Sequence, residues 1–114
     1  MTRLKSLVQQ FSNQMKKIIF VSFFLILCCF ALADSKMDLG LEVYNKAQCG
    51  VCHVLQAAGS EGQIGPNLDQ LKPTISRIIS VVTNGIGVMQ AWEGILTHEE
   101  IEAVAYYVFN STKD

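Results

Sequence analysis

The chain has 114 residues, and residues 34–114 alone would be 114 − 33 = 81 residues, the length of one small domain, which has a thin core and commonly needs an additional staple. Half of its residues are apolar, and nine basic residues stand against ten acidic ones, for a net charge of −1. Acidic residues exceed basic ones by a wider margin in residues 34–114, so nucleic acid is not expected as a partner.

The first predicted element is an apolar run at residues 18–33, which Lys16 and Lys17 precede and Ala31-Leu32-Ala33 ends. A basic n-region, an apolar core and an A-x-A end predict a secretory signal peptide that is cut after Ala33. The alternative is a membrane anchor, but sixteen residues fall short of the ~20 that a spanning helix usually needs. Because the lysines precede the run, either interpretation places the rest of the chain outside the cytoplasm.

Two domains are therefore expected: a signal peptide at residues 1–33 and one folded domain at residues 34–114. Residues 1–14 are explained either by a start codon assigned too early or by a long n-region. Cys28 and Cys29 lie inside the discarded run, and the large residues before them argue against a lipid-attachment site. The domain that remains has five basic and ten acidic residues, a net charge of −5, and no stable membrane span is expected in it.

Residues 37–47 predict the first helix of that domain. Gly40, Val43, Tyr44 and Ala47 fall at i, i+3, i+4 and i+7, which places them on one helical face. Glycine destabilises a helix, so Gly40 predicts the close approach of another helix.

A cysteine pair with an adjacent histidine, Cys49-Gly50-Val51-Cys52-His53, follows this helix. Two thiols at this spacing can each add to one vinyl group on one porphyrin edge, and the next histidine then reaches the iron as its proximal ligand. The motif predicts one covalently bound haem c. A thioredoxin-like dithiol would need a βαβ pattern, which is absent, and a zinc site would need about four ligands, which the domain offers only by adding His98.

Two further helices follow, and no strand pair is visible. Residues 74–84 predict a helix that begins near Pro73, ends before Gly85 and has an isoleucine-rich apolar face. Residues 97–110 predict a helix that starts with a Thr97–Glu100 capping box. The apolar face of the helix at 74–84 consists of Ile75, Ile78, Ile79 and Val82, and that of the helix at 97–110 consists of Ile101, Val104, Ala105 and Val108. The segments 54–71 and 85–96 are expected to be loops.

Three residues are candidates for the second axial position of the iron. Met37 is expected to pack in the core or lie at a frayed helix end, and His98 lies beside Glu99 and Glu100 as a solvated side chain. Met89 lies in a loop that can wrap to the opposite haem face, and a thioether is a common second ligand. Met89 is therefore the preferred ligand.

The chain from about residue 37 to residue 110 resembles the small class I monohaem cytochromes c. Besides the cysteine motif, Ile64-Gly65-Pro66-Asn67-Leu68 resembles the loop whose proline carbonyl holds the proximal imidazole, which implies that role for Pro66. The segment Met89-Gln90-Ala91-Trp92 resembles the distal-ligand loop, although many members have proline where this chain has Gln90. Gly40 and Tyr44, with Tyr107, resemble the crossing of the first and last helices.

This resemblance implies an all-α fold in which three main helices surround one covalently bound haem. It implies a periplasmic one-electron carrier, not an enzyme, that binds haem through Cys49, Cys52, His53, Pro66 and Met89, with iron on His53 and Met89. Its partners would be redox proteins, namely a dehydrogenase donor and an oxidase or another cytochrome as acceptor. The Val82 to Asn110 stretch resembles cytochrome subunits of periplasmic sulfite dehydrogenases, so an electron-accepting subunit is the alternative. A haem enzyme or sensor with a labile distal ligand and a dithiol oxidoreductase are the other possibilities.

Overall fold

A computed structural model describes residues 1–113, except for the side chains of residues 29–31. Cys29 and Ala31, which enter the sequence analysis, therefore have side chains outside that description. The chain divides into two compact units, Met1–Ala33 and Asp34–Asp114. Helix α1 covers Thr2–Lys46, so the prediction of a helix that begins at residue 37 was wrong, whereas its end was predicted to within one residue. No glycine or proline lies between residues 18 and 39 to interrupt the helical hydrogen bonds.

The second unit is built on the crossing of α1 with the last helix, α4, His98–Ser111. Gly40 is buried at this crossing, where a Cβ atom would overlap the carbonyl oxygen of Ala103 and the Cβ of Tyr107. The rings of Tyr44 and Tyr107 pack with their centroids 6.0 Å apart. The close approach that Gly40 predicts is confirmed, because the missing side chain lets the two helix backbones come together.

Helix α3, Ile75–Asn84, packs against α4 and begins and ends as its sequence predicts. The Thr74 side chain accepts a hydrogen bond from the backbone N–H of Arg77, and Gly85 follows the last helical residue. At the start of α4, Thr97 and Glu100 form both hydrogen bonds of the predicted capping box. These local contacts satisfy backbone groups that a helix end leaves without partners.

The segment between the cysteine motif and α3 has more regular structure than expected. Strand β1, Val54–Leu55, pairs antiparallel with β2, Ser60–Glu61, across a 3₁₀ turn at Gln56–Ala58. A short helix α2, Leu68–Leu71, follows, and Asn67 caps it. The prediction that no strand pair exists was wrong, because two-residue strands are too short to show alternation.

The segment between α3 and α4 is a loop, as predicted, but it is held against α3. The backbone N–H of Trp92 donates to the Val82 carbonyl oxygen at 2.9 Å, and that of Glu93 donates to the Thr83 carbonyl oxygen at 3.3 Å. The loop is therefore fastened to the helix that precedes it.

One apolar cluster joins the elements of the second unit, and the predicted apolar faces of α3 and α4 are part of it. The buried members of the cluster are Val43, Tyr44, Leu55, Ile78, Leu96, Ile101, Val104, Ala105, Tyr107 and Val108.

Within the described residues, one helix, Thr2–Lys46, is long and apolar enough to cross a membrane, a test that signal sequences also pass.

Candidate haem-binding site

The cysteine motif forms a tight turn directly after α1. Gln48 adopts a left-handed conformation with φ of 56°, which terminates α1, and a 3₁₀ turn follows at Cys49–Val51. The backbone N–H groups of Cys52 and His53 both donate to the Cys49 carbonyl oxygen, at 3.2 and 3.0 Å. The turn therefore holds two thiols and one imidazole within five residues.

The His53 ring is held by the segment that contains Gly65 and Pro66. Its Nδ1 lies 2.8 Å from the Pro66 carbonyl oxygen, so the Nδ1–H donates to that oxygen, and in the neutral ring the lone pair is then on Nε2. The backbone N–H of Gly65 donates to the Cys52 carbonyl oxygen at 2.7 Å. A Cβ on Gly65 would lie only 2.5 Å from Cε1 of the imidazole, so the absence of a side chain lets this segment lie directly against the ring.

Ser60 supports the cysteine turn, and sequence reasoning did not single it out. Its hydroxyl lies 2.9 Å from the Tyr44 hydroxyl and accepts from the backbone N–H of Leu55 at 3.1 Å. A Cβ on Gly50 would lie 2.6 Å from the Ser60 Cβ, so the turn packs directly on this residue. Gly62 was also missed, and its Cα lies against the backbone of Val51 and Cys52. The one sequence signal that could have identified Gly62 is its position shortly before the Gly65-Pro66 segment.

The state of the thiols bears on the dithiol and zinc alternatives. Cys49 and Cys52 form no disulfide, and burial raises the pKa of the Cys49 thiol to about 11. A reactive dithiol needs a thiolate with a lowered pKa, so this environment does not favour dithiol exchange. Among the side chains that the structure describes, which leave out Cys29, no group of three or more His, Cys, Asp or Glu could hold a metal ion.

The candidate second ligands lie in different environments. Met89 is half-buried in a tight turn after α3, where its backbone exchanges hydrogen bonds of 2.9 and 3.0 Å with Ile86. A Cβ on Gly85, whose φ is +72°, would lie 2.6 Å from the Met89 carbonyl oxygen, so this turn requires glycine. Met37 is partly buried against the core cluster, whereas the side chain of His98 is 84% exposed and contacts Glu102 at 3.1 Å.

These residues fit a covalently attached haem. The turn presents two free thiols and, beside them, an imidazole whose Nδ1 is already occupied by a backbone carbonyl. That donor set could supply two thioether links and one nitrogen ligand, and a metal-binding histidine usually donates its other ring N–H in this way.

The comparisons with known proteins identify the family. Residues 35–108 match the family model described as cytochrome C oxidase, cbb3-type, subunit III. Cytochrome c6 of Leptolyngbya boryana is 33% identical over 78 residues, which cover 65% of this chain and 91% of that protein. Chloroplastic cytochrome c6 of Chlamydomonas reinhardtii is 34% identical over 88 residues, 68% of this chain, and the match spans 56% of that protein's length. The chain belongs to this family of class I monohaem cytochromes c.

A solved structure agrees with this class I assignment. The c-type cytochrome SorU from Sinorhizobium meliloti has 49% sequence identity and a TM-score of 0.66, covering 69% of this chain and 93% of its own. The class I cytochrome c described here is thus an all-α protein with a covalently bound c-type haem, as its sequence predicts. It is an electron carrier rather than an enzyme, and such carriers exchange electrons with redox partner proteins.

Proposed function

We propose that the protein is an exported, periplasmic one-electron carrier whose iron has histidine and methionine as axial ligands. The observation that carries this proposal is the 2.8 Å hydrogen bond from His53 Nδ1 to the Pro66 carbonyl oxygen. It selects one tautomer and orients the ring, so that Nε2 is available to the iron without further rearrangement.

Each residue of the cysteine turn and its supports has a separate role in binding the haem. Cys49 and Cys52 would form the two thioether links, and His53 would bind the iron. Pro66 and Gly65 hold the imidazole, and Ser60 holds the turn against α1 through Tyr44. The bound haem supplies a one-electron Fe(III)/Fe(II) couple. With His53 and Met89 as its two protein ligands, the iron would have no open position for a substrate, which would favour electron transfer over substrate chemistry.

Met89 is the proposed second axial ligand. Its turn is held to α3 by the hydrogen bonds around Gly85 and Trp92, so the methionine is presented from a fixed position. Gln90 stands where many family members have proline, and unlike proline it has a backbone N–H. The hydrogen bonds that hold the turn do not involve Gln90, so this difference leaves them in place.

The experiment compares Met89→Ala with Met37→Ala in the haem-loaded protein. We expect Met89→Ala to abolish the weak red charge-transfer band of methionine-bound ferric haem and to make the ferrous form bind carbon monoxide rapidly. Met37→Ala removes a methionine that packs on the core cluster, so it should lower stability and leave the band intact. If Met89→Ala keeps the band, or if Met37→Ala loses it, Met89 is not the ligand.

The periplasmic location rests on the predicted cleavage after Ala33. Residues 18–33 with the preceding lysines have the composition of a signal peptide, and the family match begins only at residue 35. N-terminal sequencing of the exported protein should find Asp34 as the first residue. An N-terminus at Met1 or Met15 would instead indicate an uncut anchor.

The second candidate is the haem subunit of a periplasmic dehydrogenase, such as a sulfite dehydrogenase, which accepts electrons from its partner. The exposed apolar side chains of the loop after α3, with Val88 at 91% exposure beside Ile86 and Ile95, favour contact with another protein. Purification from the native source separates the two candidates, because a subunit co-purifies with its dehydrogenase and a free carrier does not.

A further inference from the structure

The N-terminal part of α1 carries an apolar stripe that the proposed function does not use. Five apolar residues of the segment 2–15 follow the helical spacing i, i+3, i+4, i+7 and i+11, and at 3.6 residues per turn they fall within an arc of about 100°. All five are between 53% and 71% exposed. They are Leu4, Leu7, Val8, Phe11 and Met15.

The rest of this segment is polar, and its charges have one sign. Arg3 and Lys5 lie on the two sides of the stripe, and Lys16 and Lys17 follow it. No acidic residue occurs in residues 1–33. The face opposite the stripe consists of uncharged residues, among them Ser6, Gln9 and Asn13.

This combination matches one occupant, the surface of an anionic lipid bilayer. A helix with an apolar face bordered by basic residues lies in the bilayer interface, with the apolar face among the acyl chains and the basic side chains at the headgroups. The next segment, residues 18–33, is apolar enough to enter the bilayer, so the stripe is already close to the lipid. A second copy of the same helix would bring together charges of the same sign.

We propose that residues 2–15 of the full-length chain lie as an amphipathic helix on the surface of an anionic bilayer, with the stripe of Leu4, Leu7, Val8, Phe11 and Met15 facing the acyl chains. This surface belongs to the chain before cleavage after Ala33 and is independent of the haem ligands. It gives residues 1–14 a role in guiding the precursor to the membrane.

The test places a single tryptophan on either face of the helix in the full-length chain. The native Trp92 is replaced by phenylalanine, and Phe11→Trp is compared with its matched control Asn13→Trp, which lies on the opposite face. Each protein is mixed with vesicles of phosphatidylcholine and phosphatidylglycerol that contain lipids brominated near the headgroup end of the acyl chains. We expect the tryptophan at position 11 to be quenched several-fold more than the one at position 13.

Charge variants test the anionic requirement and the stripe. In vesicles of phosphatidylcholine alone, quenching at position 11 should fall several-fold, and Arg3→Gln with Lys5→Gln should produce the same loss. Leu7→Glu should abolish the quenching, whereas Gln9→Glu, which adds the same charge on the polar face, should reduce it only slightly.

Three results would overturn the proposal. Equal quenching at positions 11 and 13 would mean that no face is presented to the lipid. Undiminished quenching without phosphatidylglycerol would remove the role of the anionic surface. Absence of quenching together with dimers of the full-length chain would assign the stripe to a second copy.

Discussion

Tyr44 and Tyr107 pack against each other at the helix crossing, but their hydroxyl groups have different surroundings. The Tyr44 hydroxyl is hydrogen-bonded to Ser60 at 2.9 Å, and burial raises the pKa of Tyr44 above its usual value. The Tyr107 hydroxyl is buried and has no hydrogen-bond partner among the described residues. The first hydroxyl therefore contributes to stability, whereas the second is desolvated without compensation.

Tyrosine-to-phenylalanine variants test this difference, since each removes only the hydroxyl oxygen. We expect Tyr44→Phe to lower the free energy of unfolding by about 1 kcal/mol, the net worth of a typical hydrogen bond. Tyr107→Phe serves as the matched control and should leave the free energy of unfolding unchanged or raise it slightly. Denaturant unfolding of the haem-loaded proteins measures both values. Equal losses in the two variants would show that Tyr107 has a partner as well.

At the scale of elements, Glu100 joins the end of α1 to the beginning of α4. Its carboxylate accepts from the backbone N–H of Thr97 at 2.8 Å and from Lys46 Nζ at 2.9 Å. Lys46 is the last residue of α1, so the positive charge lies at a helix C-terminus and the negative charge at a helix N-terminus, as the helix dipoles favour. The hydrogen bonds from Thr97 and Lys46 hold the pKa of Glu100 below its usual value.

The lowered pKa predicts how stability depends on pH. A carboxyl whose pKa falls on folding stabilises the protein above its unfolded pKa, about 4.5 here, and this contribution is lost as pH falls through the folded pKa. Wild-type protein should therefore exceed Glu100→Gln in stability at neutral pH, and the difference should shrink once pH drops below about 4.5. Thermal unfolding across that range measures it.

Glu99→Gln is the control, because Glu99 is exposed in the same helical turn and carries the same charge. It should change stability less than Glu100→Gln does at neutral pH. If the difference between wild type and Glu100→Gln stays constant down to the lowest pH, the carboxylate of Glu100 does not contribute in its ionised form.

At the scale of the whole molecule, the folded unit has a small core for its length. Its buried apolar cluster joins α1, α3 and α4, but the segment from Cys49 to Pro66 contributes little to it beyond Leu55. Domains of about this size commonly depend on a disulfide, a metal or a cofactor. The covalent haem is therefore expected to act as the staple of the domain.

Removing both thiols tests this dependence. Cys49→Ala with Cys52→Ala should leave an apoprotein with little helical circular dichroism and no cooperative unfolding transition, because the haem can no longer be attached. Val51→Ala is the matched control: it changes the exposed residue between the two thiols and should keep the native spectrum. A cooperative, helical double variant would show that the polypeptide core folds by itself.

Local signals in the sequence predicted much of this protein correctly. The helix end before Gly85, the capping box at Thr97 and the apolar faces of α3 and α4 involve residues at most a few positions apart, and the structure confirms each of them. The cysteine motif is equally local, since two cysteines and a histidine at set offsets predicted the covalent haem that the family membership bears out. The ligand role of Met89 stays a prediction, because no local pattern distinguishes a ligand methionine from one that fills a core.

The sequence by itself therefore determined α3 and α4, the family and the cofactor, because their signals are contiguous or periodic. Only the tertiary structure decided how the cysteine turn is supported. Ser60 reaches Tyr44 across sixteen positions, and the Pro66 carbonyl oxygen reaches His53 across thirteen, a contact that the sequence had supplied only through family resemblance. Strands of two residues are too short to show an alternating pattern in the sequence. Gly62 and Gly65 matter because other parts of the chain, the Val51–Cys52 backbone and the His53 ring, lie directly against them. Such contacts depend on how the chain folds back on itself, which no short window of sequence records.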